Sequence, residues 1–257
     1  MKKNGLRCGA FGFVSCIALA SFGRAATIQL ITNGGFETGD FTGWSANTEA
    51  GSDGTLSVSS STIAPNSDSS TAGPASGTYY ALTDQTGPGA YALTQSFTVT
   101  PGATSVMVSF DLFANDYAGA VDTGPLDYTG GSIEFATADL LTGTANPFST
   151  APGDILENFY QGADNLDNNP NPYTAYSFDI TSLVSGGGTF QIRFGEADNL
   201  DFFDLGVDNV SVTEQIQGTP EPATFLLIGP TLFGLAAFRL RQLAAWRKEK
   251  RVRQPAP

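Results

Sequence analysis

The sequence predicts an all-β protein: a jelly-roll β-sandwich flanked by an N-terminal signal helix and a single C-terminal transmembrane helix. Three observations favour the sandwich. Between residues 26 and 218, short runs of β-favouring residues recur between turn-rich segments. Apolar and polar residues alternate within these runs, most clearly over 104–112, where every second residue from Val106 to Leu112 is apolar. Two of the connecting segments are long, as in jelly rolls with loops at the ends of the sheets.

The individual elements follow from the same pattern. Thr181–Val184 is the one predicted helical turn, and the long loops are 63–77, rich in Ser and Pro, and 162–172, rich in Asn, Asp and Pro. Strands are predicted at 27–32, 55–60, 78–83, 91–99, 104–113, 131–137, 155–160, 175–180, 188–195 and 206–213.

The N-terminus, residues 1–25, is typical of a secretory signal peptide. Three basic residues precede an apolar run at 8–19, and the small residues Gly23 and Ala25 stand at positions −3 and −1 of a cleavage site after Ala25. The alternative is an anchor that stays in the membrane without being cleaved. The sequence therefore predicts export through the inner membrane.

The C-terminus combines a turn-rich linker, an apolar stretch and a basic tail. Residues 222–238 carry no charge, which predicts a transmembrane helix at about 223–240, with Pro230 as a kink. Basic residues follow over 239–253. Because positive charge stays on the cytoplasmic side, the body faces outward. The alternative is an amphipathic helix lying on the membrane surface.

This C-terminal segment, 219–257, resembles the PEP-CTERM sorting signal of Gram-negative bacteria. The resemblance rests on the order of its three parts: a Pro-Glu-Pro triplet, a short hydrophobic helix and an Arg cluster. It implies recognition by an exosortase-like membrane protease or transpeptidase, membrane attachment through the helix, and a final place in the cell envelope or extracellular matrix. The matching residues of the sorting motif are Pro220, Glu221, Pro222, Arg239 and Arg241.

The body, 26–218, resembles galactose-binding-like jelly rolls, the fold of many carbohydrate-binding modules. Residues 33–39, Asn-Gly-Gly-Phe-Glu-Thr-Gly, followed by Trp44, look like their opening loop. Residues 207–212 look like their closing strand, and 93–102 fit their central hairpin. We expect Trp44 to pack behind the opening loop.

Composition excludes several functions. Residues 26–218 contain 23 acidic side chains and one base, Arg193, so this body repels nucleic acid and attracts cations. The chain has no His, and its two Cys, Cys8 and Cys16, precede the body. Catalysis by imidazole, thiolate or Lys is therefore unavailable to the body, and only carboxylates, hydroxyls and one Arg remain.

A structural calcium site is expected where the first and last strands of a jelly roll lie side by side. That placement brings Glu37 of the opening loop next to Asp208 of the closing strand, and carboxylate and carbonyl oxygens are the ligands that Ca²⁺ takes. The resemblance further implies backbone carbonyls at Asn33 and Gly35 as donors. The alternative is that Glu37 caps a turn and that Asp208 is an exposed strand carboxylate.

A repeated acidic motif is weaker evidence for a calcium site. Asp-Asn-Leu-Asp occurs twice, with Asp164 and Asp167 in one copy and Asp198 and Asp201 in the other. We interpret both copies as Asx turns, because their spacing matches no known calcium loop.

Sugar binding would use exposed aromatic faces with polar side chains beside them. Of the eight tyrosines, Tyr117 and Tyr128 lie in a turn-rich segment and are the expected ligand-binding residues. The sequence thus predicts an exported, non-enzymatic surface or matrix protein, with exopolysaccharide as the expected ligand. Two alternatives remain open: a carbohydrate-active hydrolase using a carboxylate pair, and a structural biofilm protein without a specific ligand.

Overall fold

The computed structural model describes residues 25–117, 124–162, 170–200, 202–217, 234, 237–244 and 246. Residues 25–217 form one compact unit, and residues 237–244 are helical. Among the described residues, no helix is long and apolar enough to cross a membrane. The predicted signal segment before residue 25, the Pro-Glu-Pro motif and most of the predicted span at 223–240 lie outside the described residues, and residues 237–240 of that span are helical.

The body is an antiparallel sandwich of two sheets, which confirms the all-β prediction and resembles jelly-roll sandwiches. One sheet, here sheet A, has the order β3-β4-β11-β6-β9, with β1 paired to the end of β11, and sheet B has the order β2-β5-β10-β7-β8. The strands are β1 Ala26–Gln29, β2 Ser45–Thr48, β3 Thr55–Ser59, β4 Tyr80–Asp84, β5 Gly89–Val99, β6 Ser105–Asp116, β7 Glu134–Thr142, β8 Ile155–Gly162, β9 Thr174–Asp179, β10 Gly188–Asp198 and β11 Phe203–Ile216.

The sequence-based boundaries differ from these strands in specific places. The strand β2, Ser-Ala-Asn-Thr, was not predicted, because nothing in its composition favours a strand and only its pairing with β5 makes it one. The predicted strand at 131–137 is in fact Glu134–Thr142, and β10 extends to Asp198. The helical turn α1, Thr181–Val184, is confirmed.

The main core lies between the sheets and follows the alternation seen in the sequence. Val106, Val108, Phe110 and Leu112 are all buried in it. Trp44 packs on Phe36, with ring centroids 5.4 Å apart, as expected for a side chain behind the opening loop.

The outward faces of both sheets are partly covered. Leu126 packs against the outer side of β10 at Gly195, where a Cβ would lie 2.8 Å from the leucine side chain. On the outer side of sheet A, Tyr80 and Phe113 form a second small cluster, next to which Tyr173 packs.

Candidate functional site

The opening loop and the closing strand meet, as the sandwich prediction requires. The backbone N–H of Val210 donates to the carbonyl of Gly34 at 2.9 Å, and a Cβ on Gly34 would clash with the carbonyl of Val210. One residue on, a Cβ placed at Gly35 would lie 3.7 Å from Asp208 Oδ1 and 3.8 Å from Glu37 Cγ. Asp208 Oδ1 and the Glu37 side chain therefore both lie beside Gly35, and the Glu37 carboxylate reaches on to Gly77.

These two carboxylates hold one segment of the long loop. Glu37 Oε1 accepts backbone hydrogen bonds from Thr78 at 2.9 Å and Tyr79 at 3.1 Å. Asp208 Oδ2 accepts them from Ala75 at 2.9 Å and Ser76 at 3.0 Å. Asp208 is fully buried rather than exposed, and burial raises its pKa while the amide hydrogen bonds oppose that shift. The carboxylates thus fasten residues 75–79 to the sandwich.

Asn33 organises the opening loop. Its carbonyl accepts hydrogen bonds from Trp44 Nε1 at 3.1 Å and from the N–H of Phe36 at 3.2 Å, which occupies both lone pairs. Its side chain donates to the carbonyls of Asp40 and Thr42. In the described part of the chain, no group of three or more His, Cys, Asp or Glu side chains is placed to hold a metal ion. The calcium site at Glu37 and Asp208 stays a prediction.

The two predicted sugar-binding tyrosines lie in different settings. Tyr128 is half-buried, and its hydroxyl donates to the carbonyl of Ala50 at 3.0 Å, so it holds one loop against another. Tyr117 directly follows β6 and is half-buried against Phe202, with ring centroids 6.3 Å apart.

An aromatic cluster that the sequence pattern did not predict lies at the lateral edge where β8 of sheet B lies against β9 of sheet A. Phe159 stacks on Phe178 at 4.7 Å, and Phe110 stacks on Tyr176 at 5.2 Å. Tyr160 meets Tyr176 edge-on at 5.8 Å. We call these five rings the edge cluster. Tyr160, Tyr176 and Phe178 are half-buried, so part of the cluster is on the surface.

A β-bulge makes this arrangement possible. The register between β7 and β8 shifts between Ala138 and Asp139, which pair with Tyr160 and Asn158, so Phe159 has no opposite residue. A bulge redirects side chains, and here Phe159 and its neighbour Tyr160 both pack towards β9. The sequence shows the aromatic residues but not the bulge, since no composition signal marks it.

Acidic side chains are also buried at one end of the sandwich. Asp84 accepts backbone hydrogen bonds from Asn66 at 2.5 Å and Ser67 at 3.0 Å, and Asp204 accepts one from the Ser69 hydroxyl at 2.5 Å. Burial raises the pKa of Asp204 to about 7, opposed by the Ser69 hydrogen bond. Because Asp204 is fully enclosed, it does not reach a substrate as the acid of a hydrolytic pair in this structure.

No family model matches the chain, and no curated protein matches it. Among solved structures, the fold is similar to TmCBM61 in complex with β-1,4-galactotriose, at 11% identity and a TM-score of 0.43, covering 74% of this chain and 99% of that one. It is also similar to the K3 cleaved adhesin domain of Lys-gingipain from Porphyromonas gingivalis, at 16% identity and a TM-score of 0.47, covering 73% and 99%.

A further likeness is to the enzymatically active domain of bacteriophage CBA120 tailspike protein 4, at 13% identity and a TM-score of 0.42. It covers 74% of this chain but 22% of the tailspike chain. At these identities the likenesses concern the fold.

Proposed function

We propose that this chain is an exported, non-enzymatic protein of the cell surface or extracellular matrix, and that its sandwich binds extracellular polysaccharide at the edge cluster. The observation that carries the proposal is the set of stacked rings between β8 and β9, with Tyr160 and Tyr176 partly on the surface. Sugar rings bind proteins by stacking their C–H faces on such aromatic faces, with neighbouring polar groups fixing their orientation.

The exposed polar side chains beside Tyr160 on β8 lie on the opposite, outward face of sheet B. Asn158 donates to Asp139 Oδ1 at 2.7 Å there, and Gln161 pairs with Thr137 on that face, so the edge cluster itself offers stacking surfaces. The rings of Tyr176 and Phe178 follow each other along β9 with nearly parallel planes, at 9° and 6.3 Å, and both are half-buried. A linear chain of sugars would run along β9 past these two rings.

We expect Tyr160→Ala to weaken binding to the exopolysaccharide of the producing organism about tenfold, since losing one aromatic contact costs on the order of 1.4 kcal/mol. Affinity electrophoresis of the full-length protein in polysaccharide gels measures the change. Tyr117→Ala is the matched control, because it removes a half-buried tyrosine of the other candidate site.

If Tyr117→Ala weakens binding and Tyr160→Ala does not, the ligand contacts the site predicted from sequence and the edge-cluster proposal is wrong. If the polysaccharide gel retards neither the wild type nor the variants, a structural protein without a specific ligand is favoured. Release of reducing ends from the polysaccharide would favour the hydrolase instead.

We also propose that calcium stabilises the junction of the opening loop and the closing strand. Asp208 Oδ1 and the Glu37 side chain lie on the two sides of Gly35, so a small movement of the Glu37 carboxylate would give a cation two carboxylates and a carbonyl oxygen, the ligands that Ca²⁺ prefers. The carbonyl of Asn33 already accepts two hydrogen bonds, so Glu37, Asp208 and the carbonyl of Gly35 are the better donors. The bound ion would offset part of the repulsion within this acidic body.

The sorting proposal rests on the sequence of the C-terminus, through the triplet Pro220-Glu221-Pro222, the apolar stretch and the basic tail. Changing the triplet to Ala-Ala-Ala should leave full-length protein in the inner membrane, because the exosortase-like enzyme would lose its recognition site. Immunoblots of membrane and medium fractions, with Thr219→Ala as control, measure this. Release of a trimmed product from the triplet variant would contradict it.

A further inference from the structure

A second group of acidic residues lies between the two sheets, apart from Glu37 and Asp208. Along β10, Ile192 and Phe194 face the core, and Glu196 and Asp198 continue on the same face by the two-residue period of a strand. Both carboxylates are fully buried. They point towards the end of β4 in sheet A. Thr83 of that strand and Gln85, one residue past its end, donate hydrogen bonds to them. We call these four residues the interior cluster.

The interior cluster has more acceptor oxygens than donors. The Thr83 hydroxyl donates to Glu196 Oε2, and Gln85 Nε2 donates to Asp198 Oδ2 at 2.7 Å. Two oxygens remain, Glu196 Oε1 and Gln85 Oε1, which are buried and have no hydrogen-bond partner among the described residues. Buried acceptors without a donor are costly, and an anionic one is the most costly.

No side chain of the body supplies the missing positive charge. Arg193 is the only base between residues 26 and 218, and it lies on the other face of β10, where it pairs with Asp139 at 2.6 Å. The nearest strand neighbour of Asp198 on β7 is another acid, Glu134, which is also buried. Burial and the charges of Asp198, Asp204, Asp84 and Glu134 raise the pKa of Glu196 well above its usual value.

We propose that the interior cluster is a second cation site, which binds one Ca²⁺ through Glu196, Asp198 and the side-chain oxygen of Gln85. Calcium prefers hard oxygen ligands and accepts a mixture of carboxylate and amide oxygens. Two carboxylates balance its charge, and the ion gives the two acceptors without donors a common partner. Because the ligands come from β10 of one sheet and from the end of β4 in the other, the ion cross-links the sandwich from within.

The competing explanation is a proton. A protonated Glu196 would remove the buried negative charge without any metal, and it would donate one hydrogen bond. Both explanations allow the calcium-free domain to be more stable at low pH. They differ at neutral pH, where only the ion proposal predicts bound calcium that stabilises the domain.

The test is calcium binding by full-length protein in mild detergent, after chelator treatment. Equilibrium dialysis should count two ions per wild-type chain, one in Glu196→Gln and one in Glu37→Gln. Glu157→Gln, an exposed Glu on β8, is the matched control and should keep two. At calcium about 100 times the dissociation constant, the melting temperature should rise by roughly 5–10 °C for the interior ion, and Glu196→Gln should lose that rise.

Terbium luminescence gives a second readout that does not depend on a foldable cluster variant. Tyr91 is directly opposite Glu196 across β5 and β10, with Cβ atoms about 5 Å apart, so it can sensitise Tb³⁺ bound at Glu196. Tyr91→Phe should lower the total emission, leave the part sensitised by Tyr79 at the opening loop, and keep the ion count at two.

The outcomes separate the two calcium proposals. If Glu196→Gln keeps both ions and Tyr91→Phe keeps full emission, the interior site is wrong, whatever Glu37→Gln shows. If wild type binds one ion and Glu37→Gln binds none, only the site at the opening loop exists. If Glu37→Gln keeps two ions and Glu196→Gln loses one, the opening-loop site fails while the interior site stands. Stabilisation by low pH alone, with no ion bound, would identify a proton instead.

Discussion

Replacing Arg193 with Ala should lower the free energy of unfolding by about 3–5 kcal/mol, because it leaves a buried carboxylate without its cation. Arg193 is 1% exposed, and its Nε and Nη2 donate to Asp139 Oδ2 at 2.9 and 2.6 Å. Its Nη1 donates to the carbonyls of Pro147 and Ser149 at 3.0 and 2.6 Å. One side chain therefore joins β10, β7 and the loop after β7.

Chemical denaturation of the wild type and the variant measures this loss. The double variant Arg193→Met with Asp139→Leu removes both charges and keeps apolar volume, so it should recover much of the stability. Gln191→Met is the matched control, since it changes a polar side chain two residues away on the same face of β10. A loss below about 1 kcal/mol in Arg193→Ala would show that Asp139 is not left as a buried, unpaired charge.

The stability of the calcium-free protein should fall as the pH rises from about 5 to about 8, by roughly 3 kcal/mol from Asp204 alone. Burial raises the pKa of Asp204 from 3.8 to about 7. A carboxyl whose folded pKa exceeds its unfolded pKa stabilises the fold while it is protonated. Its contribution is complete below 3.8 and is lost as the pH rises through about 7.

Other carboxyl groups with shifted pKa values also change the stability, each over its own pH range. Glu196 is shifted in the same direction and adds to the fall. Asp40, Asp127 and Asp179 have pKa values lowered by hydrogen bonds from nearby Thr residues, so they act in the opposite direction, but only at pH values near and below 3.8. The window above about pH 5 therefore isolates the buried acids.

The variant Asp204→Asn tests this assignment. It removes the titrating group, and its amide oxygen can still accept the Ser69 hydrogen bond, so the variant should be more stable than wild type at about pH 8 and should depend less on pH. Asp68→Asn is the matched control, because Asp68 is exposed and has a φ of 56°, which Asn tolerates. A variant with the pH dependence of wild type would contradict the role of Asp204.

The sequence alone predicted the elements that depend on local pattern. Alternation placed Val106, Val108 and Phe110 in the core, and the resemblance of the opening loop to galactose-binding-like jelly rolls led to the expectation that Trp44 packs behind it. The sandwich also required first and last strands to be neighbours, and the structure brings Glu37 and Asp208 together around Gly35. The export and sorting interpretation is likewise a matter of sequence, since it depends on charge and hydropathy at the two ends.

Only the tertiary structure decided which of the many acids matter and which tyrosines are accessible. In the sequence, Glu196 and Asp198 are two of 23 similar acids in the body, and they are buried because β10 lies at the centre of sheet B and extends past its predicted end. The bulge at Phe159 brings Tyr160 to β9. The hydroxyl of Tyr128 instead donates to the carbonyl of Ala50, so that tyrosine holds two loops together. The physical reason is that alternation assigns a residue to one face of its strand, whereas strand order, register and covering loops decide what lies opposite that face.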